Sequence, residues 1–371
     1  MKAYTDTPRR KHALLLIDSL AGGGAERSVL TIAEGLASRN WIVDLVSLHA
    51  PNVYSIPQGI NFHQLADARR VGDAQLVQRL GKAVDAIHLT TGVPDLVLVN
   101  LLRSSRVASQ VDFHGARVFH TLRNPLAAQL KHTKSWLLRL GLRRKLRHLY
   151  TGRHVIGISE GIIDDLSGGL GVQPASARTI YNPFDVAGIR HEAAAGANSA
   201  HWKRPYVLVA GHFKRQKRLD IALEAWTKAD VDGDLVFLGG GANRKKRALI
   251  AQARRLGVAD RVHVLDWQPA VYSWMAAARL LLLTSDFEGF GRVIVEALAV
   301  GTPVVSTDCP SGPREILTGD LARGLCPPQD VNCLATRIRE YRDTPPKIPD
   351  KALDRFQLDI ILDQYEQLVT G

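Results

Sequence analysis

The chain has 371 residues, 46% apolar and 23% charged, with 48 Lys and Arg against 36 Asp and Glu for a formal net charge of +12. That length is long for one core and favours two domains; the composition excludes a disordered chain, and no run approaches the roughly 18 apolar residues that a bilayer span needs. The cationic excess calls for an anionic partner, whether nucleic acid, a phosphorylated substrate or a membrane surface.

The opening Met1 to Lys11 is polar and basic, and the apolar run after it, Ala13 to Ile17, stops at Asp18, too short for a signal peptide. Leu14 to Ile17 reads as a strand, Gly22 to Gly24 as a turn, and Val29, Ile32, Ala33 and Leu36 recur at helical spacing. Further strands are expected at Ile42 to Leu48, Leu96 to Asn100, Val118 to His120 and Val155 to Ile158. Strands alternating with helices indicate a parallel sheet covered on both faces. Residues 1–187 are thus expected to form one α/β domain.

Periodicity is lost from about Val186, and residues 188–203, including A-A-A-G-A-N-S-A, read as a linker. The alternation restarts with strands at Tyr206 to Ala210, Leu235 to Leu238, Val262 to Leu265, Leu280 to Leu283 and Val304 to Ser306, giving a second α/β domain over residues 204–350. Residues 351–371, after the proline-rich break Pro345 to Pro349, carry Leu353, Phe356, Ile360, Ile361, Tyr365 and Leu368 at helical spacing and read as a closing helix. The three cysteines, Cys309, Cys326 and Cys333, show no C-x-x-C spacing. This argues against a disulfide framework or a zinc site and fits a reducing cytoplasm.

The stretch S-D-F-E-G-F-G-R-V-I-V-E, Ser285 to Glu296, carries the clearest chemistry. A strand feeding a glycine turn into a helix aims unpaired backbone N–H groups at one spot beside the positive end of the helix dipole, which suits a phosphate. Glu288 would sit at the mouth and Glu296 about two turns in. The basic loop Gly211 to Asp220 follows the first strand of the second domain, where open α/β sheets bind ligands, so Lys217 and then Arg215 are candidates for anion contact. Asp230 to Asp234, D-V-D-G-D, reads as a turn of solvated acids rather than a metal site. His120, at the end of its expected strand, could move protons near pH 7 or merely be hydrogen-bonded there.

Lys131 to Tyr150 places Leu138, Leu142, Leu146 and Leu149 on one helical stripe among seven cations. It fits a helix on an anionic membrane surface. A core-facing stripe with a solvated basic face, or a nucleic-acid patch, fits the same residues.

E-G-F-G-R-V-I-V-E, continuing through A-L-A-V-G-T-P-V-V-S-T-D to S-G-P-R-E-I (Ser311 to Ile316), resembles the E-x7-E region of the family 4 retaining glycosyltransferases of GT-B fold. G-G-A-E-R, R-N-P (Arg123 to Pro125), S-E-G (Ser159 to Gly161) and Y-N-P (Tyr181 to Pro183) follow in the family's order. The resemblance implies an α/β, GT-B chain: two Rossmann-like domains with parallel sheets facing a central crevice, the first binding acceptor, the second a nucleotide sugar, and the final helix crossing back to the first. It implies that Glu288 contacts donor-sugar hydroxyls, that Glu296 holds the ribose, and that His120 faces the sugar. Amides at Gly23, Gly24, Gly289, Phe290 and Gly291, with Lys217, would neutralise the diphosphate without a metal or other cofactor. Trp267 and Gln268 would lie against the base, and Arg123, Asn124 and Asn182 would add contacts.

One departure stands out. Where many relatives carry an arginine after the first strand of the second domain, this chain has Gly211, His212 and Phe213. Either Arg215 takes over that contact, or His212 serves as a donor, or activity is reduced; the permanent charge of arginine favours Arg215.

The expected reaction is transfer of a hexose or N-acetylhexosamine, with retention, from a nucleoside diphosphate sugar, UDP favoured over GDP. The acceptor would be a hydroxyl of a lipid-linked saccharide in cell-surface polysaccharide assembly, at the cytoplasmic face of the membrane and without nucleic acid. A GT-B nucleotide-sugar epimerase, and a non-catalytic basic protein binding nucleic acid or anionic glycan, are the alternatives.

Overall fold

Short buried apolar runs alternate with helices along the whole chain, and the alternation builds two parallel sheets, each the centre of its own compact unit. The computed structural model describes residues 9–51, 53–196 and 202–370. The α/β class with two Rossmann-like sheets is as expected.

The first unit comprises Met1–Ile158, Ile162–Phe184 and Leu358–Gly371. Its strands are β1 (His12–Ile17), β2 (Ile42–Ser47), β3 (Ile60–Gln64), β4 (Leu96–Asn100), β5 (Val118–Leu122), β6 (His154–Gly157) and β7 (Ser176–Thr179). They lie in the order β3-β2-β1-β4-β5-β6-β7. Alternate residues of β1 feed opposite cores: Ala13, Leu15 and Ile17 pack on one face, Leu14 and Leu16 on the other. That is why the strand is apolar throughout rather than alternating.

The edge strands are built differently. β3 reads I-N-F-H-Q and has no fully buried residue. It is tied in by chemistry instead: Asp44 of β2 accepts from His63 Nε2 at 2.6 Å and from His12 Nε2 at 2.7 Å. Burial works to raise the Asp44 carboxyl, but the two imidazoles outweigh it and hold it at about 2.

The second unit comprises Ser159–Gly161 and Asp185–Gln357. Its strands are β8 (Tyr206–Ala210), β9 (Asp234–Leu238), β10 (Val262–Leu265), β11 (Leu280–Leu283), β12 (Val304–Thr307) and β13 (Leu325–Cys326), in the order β10-β9-β8-β11-β12-β13. In each sheet the order reverses once, between β1 and β4 and between β8 and β11. Loops leaving the strand ends on either side of such a reversal diverge and leave room for a ligand.

Several expectations from the sequence need correcting. The linker reading of residues 188–203 fails over its first part, because Val186–Ala195 is a helix capped by Asp185, whose side chain accepts from Gly188 N at 2.8 Å. Ile189 and Ala193 bury against the second unit, and Ser273 Oγ donates to Ala193 O. Alanine favours helix without marking a face, so the pattern was invisible; residues 197–201 lie outside the described residues.

The closing helix begins only at Leu358 and runs to Thr370, as part of the first unit. Before it, Asp354–Phe356 forms a tight turn, and Phe356 is buried edge-on to Phe290, 5.3 Å between ring centres. The helix expected over Lys131 to Tyr150 is two, Leu126–Lys131 and Trp136–Tyr150. Asp234 is not a solvated acid: it is buried and accepts from Trp202 Nε1 at 2.8 Å. Cys326 and Cys333 are joined as a disulfide, with Cα atoms 5.7 Å apart. The turn between them folds back because Asp330 caps the Val331–Asp343 helix and accepts from Cys333 N. Cysteine spacing therefore gives no support to a reducing compartment.

The final helix is held mainly by burial. Ile361, Leu362, Tyr365 and Leu368 enter the same core as β1, and Gly35 of the Gly24–Ser38 helix leaves the space into which Leu362 packs. Arg39 adds ion pairs to Asp359, Asp363 and Glu366, but these acids are exposed or partly so and such pairs contribute little. Leu362→Ala is expected to destabilise the first unit by about 2–5 kcal/mol, measured as a lower urea midpoint of its unfolding transition with an unchanged slope; a midpoint within error of the parent would contradict the packing account.

Candidate functional site

The second unit concentrates polar groups where its strand order reverses. Strand β11 is buried along its length and is followed by Thr284, whose Oγ1 donates to both Lys217 O and Arg218 O at 2.9 Å. Asp286 N donates to Gln216 O at 2.8 Å, and Arg218, with left-handed φ of 45°, reaches Asp220 and Asp286. The basic loop after β8 is thereby stitched to the loop after β11.

The stitching delivers Lys217 onto Glu288. Lys217 Nζ donates to Glu288 Oε1 at 2.6 Å, and Ser285 Oγ donates to the same oxygen at 2.5 Å. Thr307 Oγ1, from the end of β12, fixes the Ser285 carbonyl at 2.7 Å. Glu288 is buried, so these donors replace the water it has lost. Cys309 is close by, but burial, followed by the Glu288 charge, pushes its thiol up, and it remains protonated.

After Glu288 the chain turns through Gly289, Phe290 and Gly291, all buried, and Gly291 enters the Arg292–Ala299 helix at φ 88°. Glu296 is buried one helical turn from Arg292, which pairs with it at 3.4 Å. Gly312, at φ 90°, packs directly on the Phe290 backbone, where any Cβ would collide. Ser159 Oγ donates to Gly289 O at 2.8 Å, and Glu315 accepts from Glu160 N, Gly161 N and Gly312 N. Two segments that look unrelated in sequence, S-E-G and S-G-P-R-E, thus brace the glycine turn.

His212 and Lys217 line a small recess with Gly211, Leu283 and Thr284; Arg215 does not line it, and His212 and Arg215 are both exposed. A glycine makes this possible: a Cβ on Gly239 would strike the Gly211 carbonyl. Trp267, exposed by 68%, and Gln268 lie on the loop after β10.

In the first unit, β5 runs on to Leu122, so His120 sits mid-strand and is fully buried, edge-on to Tyr150. Burial, with the Arg153 charge, pulls the imidazole down to about 4. It is therefore neutral at pH 7. Arg123 is buried, bonding Asn100 Oδ1 through Nε and Nη2 and Asn182 Oδ1 through Nη1. Both Arg123 and Asn182 are thus engaged in joining strand ends; Asn124 is half-buried beside them. At the turn after β1, Gly23 is the cap of the Gly24–Ser38 helix, and the Glu26 carboxylate lies against it. Asp18, just before that turn, accepts from Ser104 N and Oγ, while burial raises its carboxyl.

Ser285, Thr284, Thr307, Asp286 and Glu315 were not singled out from sequence. Their only sequence signal is proximity to strand ends, since the partners they hold lie up to 155 residues away.

Two family models match the chain, Glycosyltransferase Family 4 over residues 22–187 and Glycosyl transferases group 1 over residues 204–343. The chain belongs to the family 4 glycosyltransferases. Among curated relatives, this glycosyltransferase is 26% identical to the N-acetylgalactosamine-N,N'-diacetylbacillosaminyl-diphospho-undecaprenol 4-alpha-N-acetylgalactosaminyltransferase of Campylobacter jejuni, over 82% of this chain and 83% of that one. It is 31% identical to the lipopolysaccharide 1,6-galactosyltransferase of Escherichia coli, over 50% of this chain and 51% of that one. Among solved structures, Anabaena Alr3699/HepE in complex with UDP and glucose superposes with a TM-score of 0.77 at 20% identity, covering 97% of this chain and all of that one. WaaG, a glycosyltransferase involved in lipopolysaccharide biosynthesis, superposes with a TM-score of 0.70 at 18% identity, covering 97% of this chain and 100% of that one. The structural likeness shows the fold, GT-B.

The recess sets a ranking. Because His212 and not Arg215 faces it beside Lys217, His212→Ala is expected to raise the glycosyl-donor KM about tenfold, the worth of one hydrogen bond to a charged group. Arg215→Ala should stay within about twofold. Steady-state kinetics with varied donor measures both; the reverse ranking would assign the contact to Arg215.

Proposed function

We propose that this glycosyltransferase takes a hexose or N-acetylhexosamine from a UDP-sugar and passes it, with retained configuration, to a hydroxyl of a lipid-linked saccharide in cell-surface polysaccharide assembly. The observation that carries the reading is the buried Lys217–Glu288–Ser285 cluster at the strand-order reversal of the second unit. A buried carboxylate beside a lysine suits a ligand with adjacent hydroxyl and phosphate groups, which is what a nucleoside diphosphate sugar presents. The printed names of the Campylobacter and Escherichia relatives point the same way, as does the UDP held by the Anabaena protein.

In this reading Glu288 accepts from sugar hydroxyls and Glu296 from the ribose, while Lys217 and His212, with amides of the turn Gly289 to Gly291, stabilise the diphosphate. Trp267 and Gln268 flank the base. The bond from the anomeric carbon to the β-phosphate oxygen breaks, its electron pair leaving with UDP. The acceptor oxygen bonds to the same face of that carbon, and its proton passes to the departing phosphate. Fixed donors aimed at such a leaving group typically contribute roughly 10²–10³-fold each. The cationic side chains supply the charge that a metal would otherwise bring, and the first unit binds the acceptor at the inner face of the membrane.

A thermal-shift screen of UDP-, GDP- and ADP-sugars should show stabilisation by UDP-sugars at millimolar concentration. Glu288→Ala should lower transfer by at least about 10²-fold with unchanged far-UV circular dichroism, and chelation by EDTA should leave the wild-type rate intact. Near-normal turnover by Glu288→Ala would overturn the assignment, and conversion of the donor without acceptor would identify an epimerase instead.

A further inference from the structure

The loop of residues 327–330 is tied at its base and touches the donor site at its tip. It leaves β13 at Cys326 and enters the Val331–Asp343 helix, whose Cys333 is disulfide-bonded to Cys326. From the tip, Gln329 Nε2 donates to Asp286 Oδ1 at 3.0 Å. Among the described residues this is the loop's only side-chain hydrogen bond beyond the helix that it opens. Asp286 is one of the groups that stitch the site together. Its N–H donates to Gln216 O, and its carboxylate pairs with Arg218 at 3.3 Å, so it grips the basic loop on both sides of Lys217. Lys217 in turn meets Glu288. A firmer or looser hold on Asp286 therefore reaches the ligand-binding residues without contacting them.

Gln329 has a φ of 66°, in the left-handed region that favours glycine. At another residue such a conformation persists where its surroundings impose it. Here Pro327, Pro328 and Gln329 are all exposed, so packing does not fix the tip. What restrains it is the cross-link at the base, together with the Asp330 cap on the helix. The flanking elements are held independently of the cross-link. Cys326 is in register with Thr307 of β12, and Leu334, Ala335 and Ile338 of the helix are buried. Breaking the S–S bond thus frees the loop while sheet and helix stay in place.

We propose that Gln329 is a positioning residue for the donor site, acting through Asp286, and that the Cys326–Cys333 disulfide sets how firmly it acts, so that the site tightens on oxidation and loosens on reduction. Cys326 is buried and Cys333 half-buried, so a small dithiol enters at the Cys333 sulfur. Its thiolate attacks there, the S–S bond breaks, and Cys326 leaves with the electron pair and takes a proton. The second thiol of the reagent then displaces Cys333, which is protonated, and the reagent closes to its own disulfide. The protein gains the two electrons and two protons that the dithiol loses. The kinetic consequence rests on the proposed use of this site for a nucleotide sugar; the coupling of one loop to the other does not.

The test compares the full chain, purified without reductant, before and after dithiothreitol. In denaturant, iodoacetamide should label only Cys309 before reduction and all three cysteines after it, and mass spectrometry should find the Cys326 and Cys333 peptides linked beforehand. Reduction should raise the donor KM about three- to tenfold, the worth of one hydrogen bond, with kcat changed by less than about twofold. Cys333→Ala should show the raised KM in both states, and Gln329→Ala should match it and be insensitive to reduction. Gln329→Lys, which keeps a donor for Asp286, should retain the parental KM. Amide hydrogen exchange over residues 284–291 should quicken on reduction and in Gln329→Ala, with circular dichroism unchanged. Labelling of all three cysteines before reduction would overturn the proposal. So would a lower unfolding temperature on reduction with KM and exchange unmoved, the behaviour of a cross-link that only stabilises. If no nucleotide sugar is turned over, the transferase reading fails alone, and the exchange measurement still decides the coupling.

Discussion

The reversal of strand order in each parallel sheet is the constraint on which the rest of this molecule depends. Parallel strands all deliver their loops to the same end of the sheet, and only where the order reverses do neighbouring loops part. In the second unit that place lies between β8 and β11, and both loops there carry the site's chemistry: Lys217 on one, Ser285 and Glu288 on the other. Thr284 spans the two with its single hydroxyl. The gap is therefore present because of topology, while its polarity and shape come from a few side chains that stop the loops drifting apart.

A buried carboxylate is costly unless donors surround it. Glu288 has a lysine and a serine on one oxygen, and the serine is itself held from the end of β12 by Thr307. The support is layered, each group fixed by one from the next strand along. The glycine turn beyond Glu288 is braced the same way, by Ser159 on one carbonyl and by Glu315 gathering three amides. Such bracing limits reorganisation at the site, which is where fixed dipoles and charges gain most. The first unit shows a contrasting use of polar residues: Arg123, Asn100 and Asn182 satisfy one another inside the protein, and His120 is neutral in a dry setting.

Every central strand could be found in the sequence, and three of the four edge strands could not, for a physical reason. β4, β8, β10 and β11 match their expected bounds to the residue; β4, β8 and β11 are buried, mostly apolar runs with neighbours on both sides, and the edge strand β10 alternates V-H-V-L. β3, β7 and β13 were missed; each is an edge strand, and I-N-F-H-Q or S-A-R-T carries no buried run to recognise. Helix Val186–Ala195 escaped because alanine is a good helix former that draws no apolar stripe. The opposite error occurred at Trp136–Tyr150, where a clean leucine stripe concealed that its first member, Leu138, stays in solvent.

By itself the sequence determined the two α/β domains, the strand–glycine–helix order around Glu288 and Glu296, and the family to which these motifs belong, because local periodicity and glycine placement are properties of neighbouring residues. The tertiary structure decided what those residues touch. It put His212 and Lys217 on one recess, buried His120 within its strand, joined Cys326 to Cys333, and assigned Ser285, Thr307 and Glu315 their partners. These outcomes depend on burial and on contacts between segments far apart in the chain, and no window of sequence contains them.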